Sequence, residues 1–366
     1  MRDGARKGTA GLLVLFAAAV LLLCSAAAAS AVDASYHGVD FITAAKGWAV
    51  GRNATIVRTV DGGKHWKRQN YAYGGPSLTD VCFRNDGLHG WAVGTAGTVF
   101  RTVNGGRTWS LVTGFHVPDP SADLTSVKFV SATTGWVCGG WAASAGGTQV
   151  PWGGVWRSTN GGRTWSAPVA TFSGWGWCPT ALDASDAHAA TCAGIFRVVD
   201  VSLQRFNVPA FARTSNGSVW DTAPTALDAG TLTSSVNDLD QVGAHIVTVG
   251  EYDGTYPYTP FAFFSANHGS SFSPASIPAG SPGQLEGVKM ASGTVGYAVG
   301  LDARAVLKTT NGGATWRVKP TNYGRELWAV DFVSTTTGYA VGLSVSTGAS
   351  LVIKTTNGAR SWTRVK

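Results

Sequence analysis

Glu251 and Asp253 are the residues whose types and spacing are most suggestive of catalysis in this chain. They lie in a tyrosine-rich segment, Glu251–Pro260, and the chain has only two other glutamates, Glu286 and Glu326. Glycoside hydrolysis needs two carboxylates at a set separation, one of them with a raised pKa. Acidic residues two apart on a loop are also commonly solvated. The pattern therefore permits a glycoside hydrolase centred on Glu251 without requiring one.

The sequence offers no other common catalytic arrangement. It contains no phosphate-binding Walker loop, no His-Glu-x-x-His motif and no Ser/His/Asp order. We expect no cofactor and no metal site, because the cysteine and histidine spacings do not suit zinc. Charged residues are only 13% of the chain and the formal charge is +7, without a run of Lys and Arg. Nucleic-acid binding is therefore not expected.

Aromatic residues concentrate in the long segments that separate the repeated motifs described below. Such side chains on glycine-rich loops are typical of a binding surface, although they can also pack beneath the loops. We predict that this surface binds a protein, with carbohydrate as the alternative ligand. The candidate binding residues are Trp141, Trp152, Glu251, Tyr252, Tyr256, Tyr258 and Arg325.

The motif [ST]-x-[DN]-x-G-x-[TSH]-[WF], called the box here, recurs along the chain. It is complete at Thr59, Thr102, Ser158, Ser265 and Thr309. The copy at Thr355 has alanine in place of the glycine, and the copy at Thr214 is one residue short. An Asp or Asn followed by glycines predicts an Asx turn between two strands. Six of the seven acidic or amide positions are Asn, which is too little charge for calcium. The positions are Asp61, Asn104, Asn160, Asn216, Asn267, Asn311 and Asn357.

Two strand-like motifs, V-x-F and G-[WY]-A-V-G, precede most boxes. One unit therefore reads strand, strand, strand, box, strand, and the chain holds seven units. Repeats of 43 to 56 residues with turns at a fixed offset predict a radial array of small sheets. The predicted fold is all-β, a seven-bladed β-propeller of four-stranded antiparallel blades, with no strand exchanged between the chain ends. The charged x positions of V-x-F, Asp40, Lys128, Lys289 and Asp331, are expected to line a central channel or to pair between blades.

This combination of boxes and G-[WY]-A-V-G strands resembles the Asp-box (BNR) seven-bladed propellers, a WD40/YVTN-like repeat class. Among them it is most similar to the photosystem II stability/assembly factor family and its bacterial relatives, over Tyr36–Lys366. The resemblance implies an exported, non-enzymatic assembly factor that holds a nascent membrane-protein subunit, in photosynthesis or outside it. Boxes also occur in sialidases and glucan hydrolases, which implies the rival class of enzyme or carbohydrate-binding propeller. A sialidase would carry an early Arg-Ile-Pro motif, which this sequence lacks.

The N-terminus has the pattern of a targeting segment. Basic residues precede the apolar run Leu12–Leu23, and Ala29-Ser30-Ala31 suits signal peptidase. We predict a signal peptide at 1–31 and a propeller at 32–366, exported to the periplasm, the cell surface or the medium, and monomeric. An uncleaved membrane anchor is the alternative.

Export permits disulfide bonds among the remaining cysteines. Cys178 and Cys192 flank the turn Asp183–Ala187, so they are expected to face each other across a hairpin and form a disulfide. Cys82 and Cys138 are expected to be buried as small apolar residues.

Overall fold

A computed structural model describes residues 35–70, 75–117, 119, 121–145, 148–171, 177–199, 205–217, 220–221, 233–253, 258–301, 304–323, 326–344 and 348–366. The predicted signal peptide at 1–31 lies outside the described residues, as do Tyr256 and Arg325. The backbones of Trp152 and Cys178 are described, but their side chains are not.

The described residues form 28 strands, which fall into seven units of four in chain order. Units 1 and 2 contain β1 Tyr36–Phe41, β2 Gly47–Gly51, β3 Thr55–Thr59, β4 Lys67–Asn70, β5 Leu78–Phe83, β6 Gly90–Gly94, β7 Thr98–Thr102 and β8 Ser110–Leu111. Units 3 and 4 contain β9 Asp123–Phe129, β10 Gly135–Ala145, β11 Thr148–Ser158, β12 Ala170–Thr171, β13 Trp177–Ala184, β14 Ala190–Val199, β15 Arg205–Thr214 and β16 Trp220–Asp221. Unit 5 contains β17 Thr233–Val242, β18 His245–Asp253, β19 Thr259–Ser265 and β20 Ser273–Pro274. Units 6 and 7 contain β21 Gln284–Met290, β22 Gly296–Leu301, β23 Ala305–Thr309, β24 Trp316–Pro320, β25 Glu326–Phe332, β26 Gly338–Leu343, β27 Ser350–Thr355 and β28 Thr363–Arg364.

Within each unit the four strands are antiparallel and follow the chain order. The sheets of units 6 and 7 are joined by one residue pair, Leu301 with Glu326, and the other described units are separate sheets. The first strand of each unit contacts the first strand of the next, and β25 contacts β1. The seven first strands thus surround one axis. The predictions of four-stranded antiparallel sheets and of no strand exchange are confirmed.

Stacked aromatic rings join the units. The G-[WY]-A-V-G strands are buried along their full length, and their aromatic ring lies flat on the V-x-F phenylalanine of the following unit. The centroids are 3.4 to 3.6 Å apart in Trp48–Phe83, Trp91–Phe129, Tyr297–Phe332 and Tyr339–Phe41. The box tryptophan meets the same phenylalanine edge-on, as Trp109 does with Phe83. These large apolar faces are hidden from water only when the units associate, which favours a closed ring.

The boxes have the hydrogen bonds of an Asx turn, as predicted. In unit 6, Asn311 Oδ1 accepts from the backbone N–H of Thr315 at 3.0 Å and from the Thr309 hydroxyl at 2.9 Å. The Thr309 hydroxyl oxygen accepts from the N–H of Gly313 at 3.1 Å. Gly313 has a φ of +97°, a conformation that glycine adopts without steric cost. The box therefore satisfies backbone groups that no strand partner could reach.

Replacing Asn311 with alanine should lower the free energy of unfolding by about 1 kcal/mol or more, as the loss of a hydrogen-bonded cap does. Thr310→Ala, at the exposed neighbouring position, is the matched control and should change it by less than about 0.5 kcal/mol. Urea denaturation of both variants tests this. Equal, near-zero changes would show that the turn does not stabilise the fold.

Two segments that the sequence suggested were loops are continuous hairpins. The segment 140–154 was expected to be a loop, but β10 and β11 remain paired from Gly135 with Ser158 to Ala145 with Thr148. In unit 5, Glu251 pairs with Pro260 and Tyr252 with Thr259, so the two ends of the expected loop Glu251–Pro260 belong to β18 and β19. The prediction was wrong because glycine and proline content suggested a loop, whereas cross-strand backbone bonding decides pairing.

The register of β13 and β14 contradicts the predicted disulfide. Cys192 lies opposite Leu182, whereas Cys178 lies opposite Ile195, three residues further along β14. Cys192 is a free, buried thiol. The turn is centred near Ala187 rather than midway between the cysteines, since Ala184 pairs with Ala190. Cys82 and Cys138 are buried, as predicted.

Candidate binding face and central cavity

Charged side chains from the first strands surround a cavity of about 120 Å³ at the centre of the seven units. They occupy the x position of V-x-F, which lies opposite the second residue of the adjacent strand, as Asp40 lies opposite Trp48. The seven residues at this position are Asp40, Cys82, Lys128, Asp183, Asp240, Lys289 and Asp331. Asp80 and Asp238 line the same cavity. We call this set the central cluster.

The carboxylates of the central cluster hold neighbouring units together. Asp331 Oδ2 accepts from the backbone N–H of Phe41 at 2.7 Å, which connects unit 7 to unit 1. Equivalent bonds run from Phe83 N to Asp40, Val127 N to Asp80, Gln241 N to Asp183, Val288 N to Asp238 and Met290 N to Asp240. The ammonium groups of Lys128 and Lys289 lie 2.8 Å from Asp183 and Asp240. Both sequence expectations are therefore confirmed, since these groups line the cavity and also pair between units.

Burial sets the charge of the central cluster. It raises the pKa of Asp80 to about 6 and that of Asp238 to about 8, although backbone N–H bonds act in the opposite direction. Burial also opposes the charge of Lys128, but the carboxylates of Asp183 and Asp240 together outweigh it and raise the Lys128 pKa. Lys128 in turn keeps the pKa of Asp183 below its usual value despite burial. At neutral pH the cluster is therefore less negative than a count of its aspartates suggests.

Every first strand has a β-bulge at the same place, two residues before the V of V-x-F. Where each first strand pairs with its second strand, the register shifts and one residue of the first strand has no partner in the pairing. The bulged residues are His37, Thr79, Thr125, Thr180, Asn237, Glu286 and Trp328. A bulge redirects a side chain out of the regular alternation and is frequent beside functional sites. All seven lie toward the end of the ring opposite the boxes.

In units 2 to 5 the bulged side chain bonds to the next first strand. Thr79 donates to the carbonyl of Leu124 at 2.6 Å, and Asn237 donates to that of Leu285 at 2.9 Å. Thr125 and Thr180 donate in the same way, to Pro179 and Val236. These four bulged residues therefore connect the units, as the central cluster does.

Units 6, 7 and 1 carry different chemistry at the bulge, with Glu286, Trp328 and His37 on successive first strands. We call these three residues the bulge row. The rings of His37 and Trp328 have centroids 5.7 Å apart, and His37 Nε2 lies 2.9 Å from the Ser35 hydroxyl. Burial raises the pKa of Glu286 to about 7, and it lowers the pKa of His37 with help from Arg52. The imidazole and the indole thus lie beside each other, and the Glu286 carboxyl occupies the equivalent position on the first strand of the neighbouring unit.

The candidate residues Trp141 and Glu251 are placed in the interior. Trp141 is 9% exposed and belongs to the apolar cluster that contains Leu124, Val137 and Trp156. Glu251 is 5% exposed, and its Oε2 accepts from Asn237 Nδ2 at 2.6 Å. The expectation that both lie on exposed loops is corrected, because the hairpins that carry them continue the sheets and turn these side chains inward.

The tyrosines of unit 5 are partly exposed. Tyr252 is half-buried with its ring 5.0 Å from that of Phe261, and burial raises its pKa. Tyr258 is also half-buried, just before β19. The other expected residues, Tyr256, Arg325 and the side chain of Trp152, lie outside the described residues. Of the expected binding residues, the structure therefore leaves Tyr252 and Tyr258 of unit 5 partly accessible.

Sequence inspection missed the bulge row and four aspartates of the central cluster, Asp80, Asp183, Asp238 and Asp240. Asp183 and Asp240 were missed because units 4 and 5 replace V-x-F with Leu-Asp-Ala and Leu-Asp-Gln. When the seven units are aligned by their motifs, the bulged residues fall in one column of the repeat, and the bulge row can be recognised there in hindsight. The column reads His, Thr, Thr, Thr, Asn, Glu, Trp, and its departure from small hydrogen-bonding residues in three adjacent units is the signal.

No group of three or more His, Cys, Asp or Glu residues in the described part of the chain is arranged to hold a metal ion. The described part also has no helix of the length and hydropathy needed to cross a membrane.

Solved structures with this architecture are propellers. The chain is similar to a structure described as YCF48 bound to D1 peptide, with 17% identity, a TM-score of 0.56, and coverage of 89% of this chain and 94% of the other. YCF48 from Cyanidioschyzon merolae matches with 16% identity, a TM-score of 0.56, and coverage of 89% and 96%. A PL25 polysaccharide lyase, an ulvan lyase bound to -[GlcA(1-4)Rha3S]-, matches with 9% identity, a TM-score of 0.56, and coverage of 91% and 96%.

These similarities establish the fold. The chain is a β-propeller. No protein-family model matches it, and no curated protein matches it in sequence. Because the identities are 9 to 17%, the propeller's activity has to be argued from its own residues.

Proposed function

We propose that this chain is an exported, non-enzymatic, seven-bladed propeller that binds a segment of a partner protein on the face opposite the boxes. The seven blades are the seven units, closed by contact between β25 and β1. Export rests on the signal-peptide pattern at 1–31. The partner proposed from the sequence resemblance is a membrane-protein subunit during its assembly.

This proposal is supported by the different roles of two sets of polar side chains, the central cluster and the bulge row. The central cluster is engaged in bonds between units, and its cavity of about 120 Å³ is smaller than the roughly 300 Å³ at which small-molecule pockets begin. The bulge row replaces unit-connecting residues by a carboxyl, an indole and an imidazole at the end of the ring opposite the boxes. An indole beside a histidine, with a carboxyl at the equivalent position of the neighbouring unit, suits contact with a peptide, since tryptophan is enriched at energetically important contacts. The YCF48 structure bound to a D1 peptide shows that this fold can bind a peptide.

Affinity capture tests the proposal. The purified chain, used as bait against detergent-solubilised membranes of its own cells, should retain one partner in roughly stoichiometric amount. The double variant His37→Ala/Trp328→Ala should reduce that capture at least about tenfold, as expected for loss of a contact worth about 1.4 kcal/mol or more. Glu286→Gln provides a milder variant that preserves side-chain volume.

The matched control changes the opposite face. Val60 is 60% exposed within the first box, and Val60→Ala should leave capture unchanged. Unfolding curves of each variant separate lost binding from lost structure. If the folded double variant and the folded Glu286→Gln both capture the partner as the unchanged chain does, the bulge row is not the binding site.

Cleavage or binding of an acidic polysaccharide is the second candidate function. Glu286 favours it, because a carboxyl with a pKa of about 7 retains its proton near neutral pH, as a general acid must. Chromogenic glycosides and a uronate-containing polysaccharide, the latter followed by the absorbance of unsaturated products, test for hydrolysis and elimination. Activity lost in Glu286→Gln would establish an enzyme at the bulge row. Activity lost only in Glu251→Gln would instead assign the catalytic site to Glu251, the residue that the sequence suggested.

A further inference from the structure

In five units an aromatic residue on the second strand faces a basic residue on the third. The pairs are Trp48 with Arg58, Trp91 with Arg101, Trp136 with Arg157, Tyr297 with Lys308 and Tyr339 with Lys354. In four of them the cation lies 5.0 to 5.7 Å from the ring centroid. A cation over an aromatic face is a favourable arrangement.

In units 2 and 6, both members of the pair bond to turns of the next unit. In unit 2, Trp91 Nε1 and Arg101 Nε both donate to the carbonyl of Gly161, at 3.2 and 2.7 Å. In unit 6, Lys308 donates to the carbonyl of Gly358, and the hydroxyl of Tyr297 donates to that of Thr335. One aromatic ring with a polar hydrogen therefore fills the space between adjacent units on the box side.

Unit 4 keeps the cation and lacks the ring. Arg213 lies opposite Thr191, which takes the place of the aromatic residue. Arg213 still donates to a box carbonyl, that of His268 at 3.2 Å, and His268 occupies the box position that Gly161 occupies in unit 3. The phenylalanine on which the ring would stack is also replaced, by Gln241. Two stacked rings at this junction are thus replaced by a threonine and a glutamine.

A cavity of about 460 Å³ lies at this junction, within the range of about 300 to 1,000 Å³ typical of ligand pockets. Its lining includes Thr191, Arg213, Thr214, Asn216, Gln241 and His268. The connection between β17 and β18 in unit 5 is only two residues long, Gly243-Ala244. The corresponding connection between β25 and β26 in unit 7 is five residues long, and its Thr335 carbonyl accepts a hydrogen bond from the hydroxyl of Tyr297. The shorter connection leaves the cavity, here called the aryl slot, accessible from the box face.

We propose that the aryl slot binds the side chain of a tryptophan or tyrosine presented by another polypeptide. Such a ring would lie against the guanidinium of Arg213, as Trp136 lies against Arg157 5.0 Å away. Its N–H or O–H would donate to the carbonyl of His268. Among the described residues this carbonyl accepts one hydrogen bond, from Arg213, whereas the equivalent carbonyl of Gly161 accepts two, from Trp91 and Arg101. A small anion is disfavoured because Asp221 Oδ2 lies 3.9 Å from Arg213 Nε. The aryl slot is on the box side, so this inference is independent of the face proposed above.

Fluorine NMR with fluoroindole as the probe tests the aryl slot without interference from the tryptophans of the chain. The purified protein should bind fluoroindole saturably, and fluorobenzene, which lacks the N–H donor, should bind more weakly. Thr191→Trp places an indole in the slot and should weaken fluoroindole binding at least about tenfold while raising the unfolding temperature. Arg213→Gln should weaken it about two- to fivefold, as loss of an exposed cation–π contact does. N-acetyl-tryptophanamide and N-acetyl-tyrosinamide should each compete with the probe.

Leu111→Ala, at an exposed position of unit 2, is the control and should leave binding unchanged. If Thr191→Trp does not fold, Gln241→Phe occupies the other half of the slot and replaces it in the test. Absence of saturable binding overturns the proposal. Binding that persists equally in the folded slot-filling variant overturns it as well, because the probe is then bound elsewhere.

Discussion

Replacing Asp331 with alanine should lower the free energy of unfolding by about 3 to 5 kcal/mol, the effect of removing one partner from a buried charged network. Asp331 accepts from the backbone N–H of Phe41 at 2.7 Å and from that of Phe332 at 2.9 Å. Lys289 is the principal nearby cation that favours its charged form. The substitution leaves two buried donors without an acceptor at the junction between the last and first units, which no exchanged strand reinforces.

Asp331→Asn separates the hydrogen bonds from the charge. The amide keeps one oxygen for one of the two N–H donors, so the loss should be smaller, about 1 to 3 kcal/mol. Guanidinium denaturation at pH 7 measures both variants. A change of less than about 0.5 kcal/mol for Asp331→Ala would mean that the central cluster does not hold the ring closed.

The second large effect is expected at Trp141. Trp141→Ala should destabilise the fold by about 3 to 5 kcal/mol, because it removes a buried indole and leaves a cavity beside Leu124 and Trp156. The residue lies beyond the G-W-V-C-G motif, where the sequence suggested an exposed loop.

Val60→Ala is the exposed control for this measurement and should change stability by less than about 0.5 kcal/mol. Equilibrium unfolding in urea compares the two variants. A loss below about 1 kcal/mol at Trp141 would restore the interpretation of this tryptophan as a surface residue.

The repeated motifs were sufficient to predict the local structure of most units. Asn311 and its equivalents form the expected turns because an Asx side chain, a hydroxyl and glycines satisfy one another within eight residues. The order of strands and the absence of strand exchange followed from where the repeat begins and ends. Prediction failed where the motifs degenerate, as at Asp183 and Asp240, whose cavity positions are set by pairing with β14 and β18.

Residues with similar neighbours in sequence have different roles across the ring. Thr79 in unit 2 and Glu286 in unit 6 occupy equivalent bulges. Thr79 nevertheless bonds to the next first strand, whereas burial raises the pKa of Glu286. The cysteines show the same limit of prediction from sequence. Because the turn is centred near Ala187, Cys192 lies opposite Leu182 rather than opposite Cys178. A shift of register changes every partner along a hairpin, and spacing in the sequence does not specify that shift.

The amino-acid sequence by itself determined the turns, the strand order and the repeated four-stranded unit, because these depend on interactions between residues close together in the chain. Only the tertiary structure decided which side chains meet between units: the central cluster, the bulge row and the aryl slot. The physical reason is that each of these sets is assembled from residues of different units, brought together by burial of aromatic rings between sheets. Ring closure brings Asp331 to Phe41 across 290 residues, and no local pattern contains that contact.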